Sequence, residues 1–286
     1  MVIPDAWKRL DMSSMSGVLM VLGAPDVGKS TFARYLYHRL ISEGKRAAFL
    51  DGDPGQSLLG PPTTITLAIG QPGESQFPPS GELRRWFIGS VTPSGHMLQV
   101  LVGAKRLVQA AFELGVDVVV YDTSGLVDPV QGGQALKQAK IDLLHPAAIY
   151  AIQSGDELEP LLTPLRRSMR SRVIDLAASP GAKRRDVTMR QAHRAKQFEA
   201  YFRSASQFSL NWTRLSVFPT PRFALEGLVS FDDAEGFSRE LGIVTLLDRK
   251  NHTMMLLTPL SSLEGIGSIK LGDTNLDRDS FRDYRV

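Results

Sequence analysis

Short unbroken apolar runs alternate with stretches whose apolar residues recur every three or four positions. Gly17 to Leu22, GVLMVL, predicts a buried strand closed by glycine. Lys29 to Glu43 predicts a helix with Phe32, Leu36 and Leu40 on one face and Gly44 at its end. Arg46 to Leu50 predicts the next strand, ending at Asp51, and Arg85 to Ile88 a further one. His96 to Leu114 and Gln131 to Leu144 predict helices. Val116 to Tyr121 and Ala147 to Ile152 read as buried parallel strands. Such alternation predicts an α/β fold: a mostly parallel sheet flanked by helices. Residues 54–82 are rich in Gly, Pro, Ser and Thr and predict a long functional loop. From about Trp212 the pattern changes to strand-like runs, Phe223 to Phe231, Ile243 to Asp248, Thr253 to Leu257 and Ile266 to Leu271. The tail after Gly272 is polar and is expected to fray. The expected partition is a leader over 1–16, an α/β domain over 17–211 with a basic helical segment at about 165–204, and a small β-rich module over 212–286.

Composition narrows the setting. Hydrophobic residues make up 43% of the chain, but no apolar run approaches the ~18 residues of a membrane span. The first residues lack the basic-then-apolar pattern of a secretory signal, so a cytoplasmic protein without a membrane partner is expected. With no Cys, disulfides and thiolate metal sites are excluded. The net charge of +3 is unevenly placed: between Leu165 and Ser204 eleven Lys or Arg face three acids, a local excess of +8. Two readings of that segment stand side by side, a solvated helix face and a surface for a polyanion.

The stretch Gly23-Ala24-Pro25-Asp26-Val27-Gly28-Lys29-Ser30-Thr31 fits G-x-x-x-x-G-K-[ST] between a predicted strand and a predicted helix. Glycines let the backbone curl so that its N–H groups converge on phosphate oxygens, and the helix N-terminus adds positive partial charge. Lys29 is expected to reach the terminal phosphates and Ser30 to ligate Mg²⁺. The fold class is thus a P-loop NTPase. A guanine-reading Asn-Lys-x-Asp is absent after AAIYAI, where Gln153-Ser154-Gly155-Asp156 stands instead.

Two acidic segments follow predicted strands. Asp51-Gly-Asp53-Pro-Gly-Gln56 ends the second strand, where open parallel sheets bind ligands. A carboxylate there can ligate Mg²⁺ or take the proton of an attacking hydroxyl, and Asp53 is the candidate base. Gln56 can orient the hydroxyl, a water or the γ-phosphate. A turn in which Asp51 only caps backbone N–H groups is the structural alternative. Tyr121-Asp122-Thr123-Ser124-Gly125 ends the most hydrophobic strand. Asp122 is placed to hold Mg²⁺, and Thr123 and Ser124 put hydroxyls beside the phosphates; a strand-terminal Asx turn is the alternative.

These residues together resemble the polynucleotide 5′-hydroxyl kinases of RNA processing, a family that includes the kinase of the pre-mRNA cleavage machinery, the pre-rRNA-processing kinases and small prokaryotic relatives. The resemblance rests on GAPDVGKST, DGDPGQS, DTSG and a basic helix ending in FEAYF, with FIGSVTPSGH, LKQAKIDLLHP and LEGLVSF in support. It implies ATP, with GTP as an alternative, and Mg²⁺ as cofactors, and RNA or DNA 5′-hydroxyl ends as partners. It implies nucleotide contacts from Gly23, Ala24, Asp26, Val27, Gly28, Lys29, Ser30 and Thr31, and metal contacts from Ser30, Asp53 and Asp122. Asp53 would activate the hydroxyl, Thr123, Ser124 and Gly125 would begin a clasp on the nucleic acid end, and Gln56 would assist. Arg190 and Arg194 would form the Arg-x-x-x-Arg of a lid that spreads the charge of the transferring group. Leu126 stands where the clasp has Trp, so a base-stacking platform is missing there, and the expectation is either a weaker grip or one supplied from elsewhere, for example Trp86 or Tyr201. Only about 16 residues precede the first strand, so the N-terminal β-rich domain of larger relatives is expected to be absent.

His96, His145 and His193 lack companions at metal-ligand spacing and read as structural. Phe198, Tyr201 and Phe202 read as the buried face of the basic helix. Lys137, Lys140, Arg184 and Arg185 remain open as phosphate contacts. The function expected is a 5′-hydroxyl kinase. Its rivals are a nucleotide-binding scaffold without turnover and an ATPase or GTPase coupled to protein or metal-site maturation. Protein partners are not legible.

Overall fold

The computed structural model describes residues 3–12, 15–71, 73–178 and 185–285. Lys183 and Arg184 of the basic segment lie outside these residues. In chain order the elements are α1 (Asp5–Lys8), β1 (Gly17–Gly23), α2 (Lys29–Ser42), β2 (Ala47–Gly52), β3 (Thr64–Ile69), β4 (Leu83–Phe87), α3 (Met97–Glu113), β5 (Val118–Thr123), α4 (Gly133–Leu144), β6 (Ala148–Gln153), α5 (Glu159–Ser168), β7 (Arg172–Ala177) and α6 (Val187–Phe202). After them come β8 (Ser206–Asn211), β9 (Ser216–Phe218), β10 (Gly227–Asp232), β11 (Ser238–Asp248), β12 (Thr253–Thr258), β13 (Ser268–Leu276) and β14 (Asp283–Tyr284).

The chain divides into two compact units. The first takes in the described residues of Met1–Gly52, Leu67–Leu83 and Ala104–Arg184. Its strands β2, β5, β1, β6 and β7 run parallel in that order. Parallel strands covered on both faces must be apolar throughout, and Leu19, Val21, Phe49, Val119, Val120 and Ile149 are all fully buried. Burying each such side chain contributes about 1.5–3 kcal/mol. On α2, Phe32, Leu36 and Leu40 bury the predicted face. Trp7 of α1 is buried too, its ring set edge-on to Phe32 at 5.0 Å.

The second unit takes in the described residues of Asp53–Thr66, Arg84–Gly103 and Arg185–Val286. Its antiparallel sheet has the order β14-β13-β10-β11-β12-β8, with β9 parallel to β13. One core cluster joins Val229, Phe231, Val244 and Leu256 to Trp212 and Phe223. Another joins Phe198 and Phe202 of α6 to Leu228, Leu241, Ile243 and Leu276. The basic helix is thus held by the β-sheet through its aromatic face.

Three expectations are corrected. Residues 54–82 do not form one long loop, because Thr64–Ile69 is a fully buried strand. Its threonines made the segment read as polar, yet β-branched side chains suit a strand, and Thr64 Oγ1 satisfies itself by donating to Pro61 O at 2.7 Å. The pair α5 and β7 was not anticipated, since Pro164 and a run of arginines hid the period. The tail after Gly272 does not fray: Thr274, Asn275 and Leu276 are buried, β14 returns onto β13, and Phe281 stacks on Phe202 at 6.0 Å.

Candidate active site

The phosphate cradle of the first unit is built between β1 and α2. Gly23 closes β1, and Gly28 is the helix N-cap with a φ of 101°, a left-handed conformation that favours glycine. Asp26 also has positive φ, at 60°. Alternation of this kind turns successive N–H groups inward and makes an anion-binding concavity. Val27 is buried beneath the loop, while Ala24, Asp26 and Ser30 are half-buried and Thr31 is exposed on the first turn. Lys29 is buried, and its Nζ donates to Ala24 O at 2.6 Å, so the ammonium spans the mouth of its own loop. A cation fixed there, at a helix N-terminus, suits a polyphosphate.

Beside the cradle lie the ends of β2 and β5. Their register pairs Asp51 with Asp122, and both are buried. Thr123 Oγ1 donates to Val21 O at 2.7 Å, which ties the end of β5 to β1. Ser124 is buried, and its Oγ makes no hydrogen bond among the described residues. Gly125 touches the cradle itself: a Cβ there would lie 2.9 Å from Pro25 N, Cα and Cγ. Close backbone approach therefore requires glycine at this position.

Lys137 and Lys140 of α4 are among the most buried side chains of the chain, 2% and 1% exposed. Lys137 Nζ donates to Ser124 O at 2.9 Å, and Lys140 Nζ lies 4.9 Å from the Tyr121 ring centroid. The Lys137 ammonium supports the loop after β5 from within. Burying an ion costs several kcal/mol unless it is well partnered, so these lysines mark a loop whose conformation is held at some expense.

In the second unit Asp53 directly follows β2 in the chain. Its Oδ1 accepts from Gly55 N at 2.9 Å and Gln56 N at 3.0 Å, which fixes the carboxylate's orientation. Gln56 Nε2 donates to Gly55 O at 2.6 Å, leaving its Oε1 buried without a hydrogen-bond partner among the described residues. Gln197 of α6 donates to Ser57 O at 2.5 Å, so α6 holds the Asp53 turn.

Arg190, Arg194, Gln197 and Tyr201 recur along one stripe of α6. Arg190 is half-buried at its N-terminal end. Arg194 Nε and Nη2 each lie 2.8 Å from a carboxylate oxygen of Asp283. Tyr201 donates to Glu240 Oε2 at 2.5 Å and accepts from Leu241 N at 2.8 Å; burial, then Glu240, pushes its pKa far up. His193 is held below its ordinary value by burial, with Arg185, Arg194 and Lys196 adding to the effect. The imidazole therefore stays neutral in its basic surroundings.

The two rings named as substitutes for the clasp Trp have structural neighbours. Lys270 Nζ covers Trp86 at 4.3 Å, and Tyr201 is locked by its hydroxyl. Of the other histidines, His96 pairs with Asp273 at 2.9 Å and His145 caps α4 in a left-handed conformation. Asp283, Gln197 and the loop-supporting role of Lys137 escaped sequence reasoning. Only Gln197 left a signal, one helical turn beyond Arg194.

For a divalent cation the first unit offers oxygen donors: the Ser30 hydroxyl and the Asp51 and Asp122 carboxylates. Hard oxygen ligands with room for phosphate and water suit Mg²⁺. Among the described residues no group of three His, Cys, Asp or Glu could form an all-protein metal cage. Among the described residues no helix is long and apolar enough to cross a membrane.

Comparison with known proteins places this geometry. Residues 23–204 match the family described as mRNA cleavage and polyadenylation factor CLP1 P-loop. A polyribonucleotide 5′-hydroxyl-kinase of Thermococcus kodakarensis is 34% identical over 235 residues, 82% of this chain and 64% of the relative. One of Pyrococcus furiosus is 31% identical over 218 residues, 76% of this chain and 60% of the relative. The chain thus spans less than two thirds of the length of these two relatives. A solved structure of wild-type Clp1p in complex with Pcf11p superposes with a TM-score of 0.72 at 11% identity, covering 95% of this chain and 77% of that one, a likeness of fold. The chain belongs to the CLP1 P-loop family.

Proposed function

We propose that this protein is an ATP- and Mg²⁺-dependent polynucleotide kinase that transfers the γ-phosphoryl group to the 5′-hydroxyl of RNA or DNA. The observation that carries the reading is the Asp53 turn. A phosphate cradle serves any nucleotide hydrolase, whereas a carboxylate fixed by two backbone N–H groups directly after β2 supplies a base for an alcohol. The names of the related archaeal kinases support the same acceptor.

In this reading Lys29 and the loop N–H groups hold the β- and γ-phosphates. Asp53 accepts the proton of the 5′-hydroxyl as its oxygen bonds to the γ-phosphorus, and the bond from that phosphorus to the β–γ bridging oxygen breaks, releasing ADP. Arg190 and Arg194 stabilise the charge on the transferring group. Gln56 orients the incoming hydroxyl. Ser124 and Gly125 shape the seat of the terminal nucleotide, and Thr123 braces them through Val21. Ser30, Asp122 and Asp53 are the residues that would hold Mg²⁺; Asp51 pairs with Asp122 across β2 and β5. When bound, the cation neutralises phosphate charge. A cytoplasmic setting and acceptance of GTP belong to the same reading.

The test incubates the chain with γ-labelled ATP, Mg²⁺ and matched 5′-hydroxyl RNA and DNA oligonucleotides, beside 5′-phosphorylated controls. Label on the hydroxyl oligonucleotides alone is expected. Labelled free phosphate without labelled oligonucleotide would replace the kinase by an ATPase, and bound nucleotide without turnover by a scaffold.

A further inference from the structure

Resting on that functional reading, we infer that Asp283, in the C-terminal strand, is a positioning residue for phosphoryl transfer. It sets the guanidinium of Arg194. The pair is bidentate and side-on, with Nε to Oδ1 and Nη2 to Oδ2 both at 2.8 Å. Arg194 is 12% exposed and Asp283 9%. A planar guanidinium has five donors in a rigid fork. Engaging the Nε–Nη2 edge fixes the plane and leaves the Nη1 donors aimed in one direction. An arginine on a flexible stem must otherwise give up rotamer freedom each time it meets a phosphate. A carboxylate that orders it beforehand lowers that cost and thereby favours the transition state.

The carboxylate is itself held firmly. Asp283 pairs with Leu276 across β14 and β13, and its carbonyl accepts from Gln191 Nε2 at 2.8 Å. Leu276 is fully buried in the cluster that also contains Phe198 and Phe202 of α6. Arg285, two residues on, donates to Ser90 Oγ. The end of the chain is therefore built into the second unit. Both carboxylate oxygens of Asp283 are engaged by Arg194, so its charge acts through that guanidinium.

The test compares the full chain with Asp283→Asn, Asp283→Glu, Gln191→Ala, Arg194→Ala and Arg194→Ala/Asp283→Asn, with rates expressed per bound nucleotide so that only folded protein counts. Asp283→Asn is expected to lower kcat about tenfold to a hundredfold while KM for ATP and oligonucleotide stays within about threefold, as loss of an oriented charge partner does. The double variant should be no slower than Arg194→Ala alone, the mark of two residues acting as one unit. Gln191→Ala, which removes one bond that holds the Asp283 backbone, should lower kcat by no more than about threefold, clearly less than Asp283→Asn. If Asp283→Asn does not fold, Asp283→Glu decides: a carboxylate one methylene longer moves the guanidinium and should lower kcat about threefold or more with Tm kept. Unchanged kcat in the aspartate variants, or an equal loss in Gln191→Ala, would overturn the inference. Absence of transfer by the wild-type chain would instead sink the functional reading itself.

Discussion

The cradle of the first unit and the α6 region of the second solve related electrostatic problems by different means. In the cradle Lys29 and the carbonyl it donates to, that of Ala24, are five residues apart. In the α6 region the partners are far apart in the chain: Arg194 and Asp283 by 89 residues, Gln197 and Ser57 by 140. Local backbone curvature makes the first site. Tertiary packing makes the second, through Phe198 and Phe202 in the β-sheet core. Chemistry written in one loop survives as a motif, whereas chemistry assembled by packing depends on residues that carry no pattern of their own.

The largest effect tests the cradle. Lys29→Ala removes the ammonium at its mouth and should lower transfer by about a hundredfold or more, since such charge stabilisation is worth on the order of 3 kcal/mol or above. Label transfer and ATP affinity are expected to fall together. Retained transfer would dissolve the contrast between a binding loop and a reacting turn.

A smaller loss should follow Lys137→Ala, which deletes a buried side chain and strips Ser124 O of its donor. The cavity and the orphaned carbonyl together should cost about 2–4 kcal/mol of stability, read as a lower denaturant midpoint. Gly125→Ala sharpens the same point. Its Cβ would press on Pro25, so ATP affinity should fall about tenfold with the midpoint little changed, since the strain is spent on the loop. Wild-type affinity in this variant would show that the two loops do not support each other.

The smallest effect concerns pH. Arg166 first, then Gln153 and Thr163, hold Glu159 down from 4.5 to about 2. A depressed carboxylate adds stability that is present above its ordinary value and is lost as pH falls toward 2. Glu159→Gln should therefore flatten the stability profile between about pH 4.5 and 2 and leave activity at neutral pH unchanged. Surface screening keeps this effect small. An acid limb with unchanged slope would remove Glu159 from that role.

The same contrast explains what the sequence disclosed. β1, α2, β2, β5, α4 and β6 were legible because their apolar periods are clean, and the cradle because its glycines and Lys29 stand in one short run. β3 was hidden by threonines that are buried with their hydroxyls satisfied. The tail was misread because Asp273, Asn275 and Asp277 look like solvated residues, while Leu276 and Phe281 anchor it. The family resemblance pointed to Arg194, yet nothing in RDYRV announces that Asp283 would hold it. The burial of Lys137 and Lys140 was not legible because lysine is seldom buried.

The account rests on Asp53 turning a nucleotide-binding loop into a kinase. The most direct measurement runs the wild-type chain and Asp53→Asn side by side with γ-labelled ATP and a 5′-hydroxyl RNA, digests the product to mononucleotides, and measures ATP binding in the same samples. The account predicts label on the 5′ oxygen of the terminal nucleotide for the wild type. Asp53→Asn should bind ATP with an affinity within about threefold of wild type but transfer a thousandfold less, as loss of the base for the acceptor implies. Undiminished transfer by Asp53→Asn, or label from the wild type that appears only as free phosphate, would contradict it.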